Sequence, residues 1–158
     1  MRWTRVWIFI PLMSVALLSA SCSYSTDFVV VNESDQAIEV LYKVKKFPVP
    51  LASLDPPATT DVSKLSPKGN HNWAGLASTH YQLDEVNRTV TVWLEAGKAL
   101  RVTTMFHYFG HNDPQDAANY PIEYITMTGA SGSTTFAGDQ ARVGFTEVSR
   151  VLYTLTYR

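Results

Sequence analysis

The sequence predicts an all-β domain built as a two-sheet antiparallel sandwich, on three observations. Short runs of alternating apolar and polar residues recur along the chain. Turn-forming clusters of Gly, Asn, Asp and Ser separate them at intervals suited to short strands. No amphipathic helix is visible after residue 27. Seven or eight strands in this arrangement suggest immunoglobulin-like architecture. They do not suggest membership, because the Cys…Trp…Cys signature is absent. A small closed β-barrel is the alternative.

The first strand is "FVVVN", apolar on successive residues and so covered on both faces. "NESDQ", Asn32 to Gln36, supplies turn chemistry. Ile38, Val40, Tyr42 and Val44 then share one face of a half-buried strand, opposite Glu39, Leu41 and Lys43. The two strands read as a hairpin.

From Phe47 to Asn70 lie five of the eight prolines. Proline lacks the donor that a central strand needs, so this is an irregular connection between sheets, with an edge strand near 49–51. "DVSKLS" from Asp61 suits one helical turn capped by Thr60 or Asp61. Trp73, Leu76 and Tyr81 tie the far end of the connection to the core.

"RTVTVWLEAGKALRVTTMFHYF" reads as a second hairpin turning at "EAGK". Val90, Val92 and Leu94 face one way. On the return strand Leu100, Val102, Thr104, Phe106 and Tyr108 face inward, and Arg101, Thr103, Met105 and His107 outward. "GHNDPQDAAN" is a polar loop. "YPIEYITMTG", "TTF", "ARVGFTEV" and "VLYTLTYR" complete the strands, with "GASGS" as a turn.

The start of the chain is of another kind. Arg2 and Arg5 precede fifteen residues, Val6 to Ala20, that are apolar but for two serines. A spanning helix needs about 20 apolar residues. A short basic region, a short apolar run and a small-residue exit describe a secretory signal peptide over residues 1–21. The exit, "LSASC", ends at the chain's only cysteine, Cys22.

This stretch resembles the lipobox of bacterial lipoproteins, with Ala20 and Ser21 in the two positions before the cysteine. Ser19 stands where that family usually has leucine, and Leu18 lies one step further out. The resemblance implies acylation of Cys22. Ser23 in the next position implies outer-membrane rather than inner-membrane residence. Several acyl chains hold stably where one binds marginally. Residues 22–27 are then anchor and short tether, and 28–158 a single domain pressed to the bilayer. The alternative is ordinary cleavage after small residues and a soluble secreted product.

Composition bounds the rest. One cysteine excludes an intrachain disulfide, so packing alone stabilises a domain of this size. The 13 basic residues less Arg2 and Arg5 leave 11 against 14 acidic ones, no footprint for nucleic acid. The one basic cluster, Lys43, Lys45 and Lys46, reads as a solvated strand edge, or else as a contact for anionic headgroups.

Candidate chemistry is sparse. His107, His111 and Asp113 are the best metal set, for zinc or copper. On a strand, residues four apart lie about 13 Å apart, so the chain must bend at Gly110 to bring the two histidines together. "GASGST" lacks the second glycine of a nucleophile elbow and is a turn. Asp84 with Glu85, and Asp113 with Asp116, are local acidic pairs, whereas a glycosidase sets its carboxyls across a cleft. The sequons at Asn32 and Asn87 matter only in a eukaryotic secretory route, against which the bacterial-type leader argues.

The reading is a non-catalytic binding or scaffolding lipoprotein of the cell envelope. Its loops at 46–72 or 110–120 have Trp73 and Tyr120 at their margins as binding anchors, with an envelope protein or glycan as partner. A secreted metal-binding protein is the alternative. A hydrolase with an unrecognised site ranks last.

Overall fold

β1 (Ser23–Asn32) enters the sandwich as its spine: Val29, Val30 and Val31 are each at most 3% exposed. The computed structural model describes residues 23–46, 51, 56–69, 71–108 and 120–158. Eleven strands follow one another among them. After β1 come β2 (Ile38–Val44), β3 (Ala58–Asp61), β4 (Ala74–Gly75), β5 (Tyr81–Asp84) and β6 (Thr89–Leu94). Then come β7 (Lys98–Tyr108), β8 (Ile122–Gly129), β9 (Gly132–Ala137), the one-turn helix α1 (Gln140–Val143), β10 (Thr146–Ser149) and β11 (Leu152–Tyr157).

One sheet has the order β10-β11-β1-β7-β3-β4 and the other β5-β6-β2-β8-β9. The arrangement is a sandwich and not a closed barrel. Every pairing is antiparallel except β1 with β11, whose register runs parallel from Asp27↔Leu152 to Asn32↔Tyr157. Parallel neighbours need a long crossover, and here nearly the whole domain separates the two strands.

Neither predicted hairpin of the first half forms. β1 and β2 lie in different sheets, and so do β6 and β7. Turn residues specify a reversal, not whether the chain returns in its own sheet or steps to the facing one. Asn32 joins the two crossings. Its side chain is fully buried; Nδ2 donates to Gln36 O at 2.8 Å and to Leu94 O at 3.0 Å. Its Oδ1 accepts from Ser34 N at 3.1 Å and Ser34 Oγ at 2.6 Å, and its carbonyl accepts from Gly97 N. An amide so enclosed is unavailable for glycosylation. The predicted β8–β9 hairpin does form, through the two residues between Gly129 and Gly132.

The strand β1 begins five residues before the expected Phe28, and Ser23 to Asp27 pair with Tyr108 to Thr104 of β7. Those residues are sheet rather than extended tether. A register shift follows between Phe28 and Val29, where Phe28 faces Thr103 and Val29 faces Arg101. This bulge reverses the faces of Thr103, Thr104 and Met105. Met105 therefore points into the core at 8% exposure, and Thr104, expected inward, turns outward beside Asp27. Residues 141–143, read as part of a strand, belong to α1 instead. Gly138 at φ 60° starts the turn, and Ala141 is buried beneath it.

The main core lies between the sheets and includes Phe28, Val40, Val92, Leu100, Ile125 and Leu155. At one end Phe28 packs against Tyr120, Phe145 and Tyr153 at centroid distances of 5.0, 5.4 and 5.2 Å. A second, smaller core covers the outside of the six-stranded sheet. Val29, Val31, Ala99 and Leu152 meet Val62, Leu65 and Trp73 of the connection after β3. That connection holds a 3-10 turn at Val62–Lys64, where a helical turn was expected. Asp61 precedes it without capping it, because its carboxylate serves Lys98 (2.7 Å) and Lys64.

Hydrogen bonds first from Lys64 and then from Lys98 hold the Asp61 carboxyl down at about pKa 2. A lowered folded pKa contributes stability above the ordinary carboxylate range, and that contribution disappears as pH falls through the folded value. Urea unfolding should therefore find Asp61→Asn less stable than the parent at pH 6, with the difference vanishing between about pH 4 and 2. A difference unchanged at pH 2 would contradict the clasp.

Candidate functional site

On the outer face of the six-stranded sheet, Asp27 gathers three polar side chains. Its Oδ1 accepts from Thr104 Oγ1 at 2.6 Å. Its Oδ2 accepts from Trp73 Nε1 at 2.9 Å and lies 3.3 Å from His71 Nδ1. His71 Nε2 lies 2.9 Å from the carbonyl of Ser66, and its side chain is 1% exposed. Arg101 lies over the Trp73 indole with its guanidinium carbon 5.3 Å from the ring centroid.

An aspartate on histidine Nδ1 supplies two of the three members of a hydrolytic triad. Here the other ring nitrogen meets a backbone carbonyl rather than a nucleophile. Ser66 Oγ accepts from Lys68 N at 3.2 Å. The arrangement is a clasp: two side chains of the 66–73 segment fasten that segment to a carboxylate on β1. The signal for it was the β7 bulge, which the alternation of the sequence does not reveal.

The proposed anchors have other duties. Trp73 is half-buried, its indole N–H committed to Asp27 and its ring to the second core. Tyr120 is 2% exposed and belongs to the main core against Phe28, so it is no surface anchor. Burial pushes its phenol upward in pKa, and among the described residues its hydroxyl has no hydrogen-bond partner. It reads as polar in sequence beside a polar loop, yet the strand end carries it between the sheets.

The other candidates separate. Cys22, His111 and Asp113 lie outside the described residues, as do the leader and residues 109–119. The backbone of His107 pairs with Tyr24 near the end of β7. Among the described residues no three His, Cys, Asp or Glu side chains are grouped closely enough for a metal ion. Asp84 accepts from the backbone N–H of Val86 and Asn87 at 3.0 Å and from Asn87 Nδ2 at 2.6 Å, which lowers its pKa. Glu85 accepts from Leu51 N at 2.9 Å, so this acidic pair shapes a turn. Ser131 Oγ lies 2.7 Å from Tyr157 Oη and 3.0 Å from the Arg158 carbonyl, fastening the β8–β9 turn to the C-terminus.

Two surfaces stand out. At one end, β1 begins and β2 ends, both opposite the Asn32–Gln36 crossing. Lys45 and Lys46 lie there, and the backbone of Lys45 donates to Pro121 O. β2 is the central strand of its sheet and Lys43 pairs with Glu123 at 3.2 Å. The cluster is therefore not a strand edge. Arg150 reaches the same end, its carbonyl accepting from Thr26 Oγ1 at 2.8 Å.

The second surface is the outer face of the five-stranded sheet. Registers place Trp93, Glu39, Thr128 and Ser133 in one row. Gln82, Thr91, Leu41, Thr126 and Thr135 form the next. Trp93 is 43% exposed. The alternation that sends Val90, Val92 and Leu94 inward sends Trp93 outward, so this exposed indole was legible in the sequence and was missed.

Among the described residues no helix is long and apolar enough to cross a membrane. Comparison with family models, with curated proteins and with solved structures gives no match.

Proposed function

We propose that this chain is an exported envelope lipoprotein, acylated at Cys22, whose β-sandwich is a non-catalytic binding or scaffolding module. One observation carries the reading. The first residue after the candidate acylation site, Ser23, already belongs to β1 and pairs with Tyr108, so the anchor passes directly into the spine of the sandwich. Lys45, Lys46 and Arg150 at that same end suit anionic headgroups, each such cation contributing about 1 kcal/mol near the surface. The closed Asp27–His71–Ser66 clasp supports a structural role for the Asp27–His71 pair. The exposed Trp93 on a threonine-rich face supports binding, with an envelope protein or glycan as the partner class.

Replacing Cys22 with serine should move the protein from the membrane fraction to the soluble fraction of disrupted cells, leaving its far-ultraviolet circular dichroism unchanged. An unaltered membrane fraction would overturn the anchor.

A further inference from the structure

Each sheet has two edge strands, and three of the four are protected. β4 has two residues. β5 has four and carries Asp84. β10 has four, carries Glu147 and is bulged between Glu147 and Ser149. Short length, charge and bulges are the ordinary defences against edge-to-edge pairing. β9 has none of them. It runs six residues, "GSTTFA", with no charge and no proline, in unbroken register with β8.

The hydrogen-bonding groups at this edge can be assigned. A two-residue connection closes on Gly129 and Gly132, which makes that pair the hydrogen-bonded one. Alternation then makes Thr128↔Ser133, Thr126↔Thr135 and Tyr124↔Ala137 the non-hydrogen-bonded pairs. Such pairs bring side chains closer together, and Thr126 Oγ1 lies 2.9 Å from Thr135 Oγ1, and Thr128 Oγ1 3.0 Å from Ser133 Oγ. The backbone N–H and C=O of Ser133, Thr135 and Ala137 therefore point away from β8, about 6.8 Å apart along the strand. Among the described residues nothing pairs with them. The helix α1 packs on the core side instead, where Gly144 abuts the Phe136 ring.

We propose that a second copy of this chain occupies the edge. Two β9 strands pair antiparallel about a twofold axis at Thr135 and join the five-stranded sheets of both copies. Ser133 then faces Ala137 of the other copy, and Thr135 faces its own counterpart. The edge is self-complementary because its outward side chains are small and uncharged, and a Thr–Thr cross-strand pair is favourable. An isologous contact of this kind closes as a dimer rather than growing into a filament. This inference does not depend on acylation.

The test is a cysteine at the axis. Thr135→Cys should give a reducible dimer in isolated envelopes or culture medium. A hydrogen-bonded pair sets Cα atoms about 5.5 Å apart, within disulfide reach. The parent chain, whose only cysteine is Cys22, is one control, and Val86→Cys, at a 91% exposed position, is the other. Sedimentation of the purified parent should give twice the monomer mass, and Thr135→Lys, which sets like charges face to face, should give the monomer with unchanged circular dichroism. A monomeric parent, or a Thr135→Cys chain that crosslinks no more than Val86→Cys, would overturn the proposal. A crosslink to a different protein would do the same, because it would assign the edge to a foreign strand.

Discussion

Asp27→Ala is expected to destabilise the domain by about 3 kcal/mol in urea unfolding, with most of the loss local to residues 62–76. Three donors converge on this carboxylate, which is 15% exposed: the Trp73 indole, the Thr104 hydroxyl and His71 Nδ1. A hydrogen bond to a charged group contributes about 1.5–3 kcal/mol, and an orphaned buried donor costs about 1–3 kcal/mol. Partial access of water to the site keeps the total below the sum of three such terms. Asp27→Asn keeps one acceptor and should lose about half as much. Hydrogen exchange should show the strap opening first: amides of residues 62–76 speed up while those of β2 and β8 keep their protection. An unchanged urea midpoint in Asp27→Ala would show that the second core holds the strap without the clasp.

Asn32 carries the second large effect. It is the only link between the two sheet crossings that uses a side chain, among the described residues, and it is fully buried. Asn32→Ala leaves the carbonyls of Gln36 and Leu94 without their donor and opens a small void. The expected loss is about 3 kcal/mol. Asn32→Asp separates hydrogen bonding from shape. Its volume is nearly the same, but at neutral pH it turns a carboxylate towards two carbonyl oxygens. It should be at least as damaging as alanine at pH 7 and should recover part of the loss at pH 4, where a protonated carboxyl can donate once. Parent-like stability of Asn32→Asp at pH 7 would contradict the role assigned to the amide.

These two residues also mark where sequence reasoning succeeds and where it stops. The all-β class was legible because alternation at Ile38–Val44 and Val90–Leu94 is strict. The double coverage of Val29 to Val31 was legible because no residue there is polar. The pairing of strands was not. "NESDQ" and "EAGK" look like hairpin turns, and what sends the chain to the facing sheet is a buried asparagine that bonds a carbonyl 62 residues away in sequence. The inward face of β7 was read correctly as far as Val102 and wrongly at Thr104 and Met105, because a bulge adds one residue without any mark in composition.

The candidate site was less legible than the fold. Trp73 was singled out for its size, yet its partner Asp27 could not be, since only the bulge brings Thr104 beside it. Tyr120 sits beside a proline and a polar loop, which reads as surface, yet it fills the core end next to Phe28. Trp93 and the threonine rows follow from simple alternation and were there to be read. His107, His111 and Asp113 depend on residues 109–119, which the structure does not describe.

In the proposed reading, a fatty-acylated Cys22 is fused without a stalk to the first strand of the sandwich. Intact-mass spectrometry of the protein purified from membranes addresses this directly. The expected mass is that of the chain from Cys22 to Arg158 plus its acyl groups. A mass that retains residues 1–21, or one that begins at Cys22 with no lipid, would contradict it.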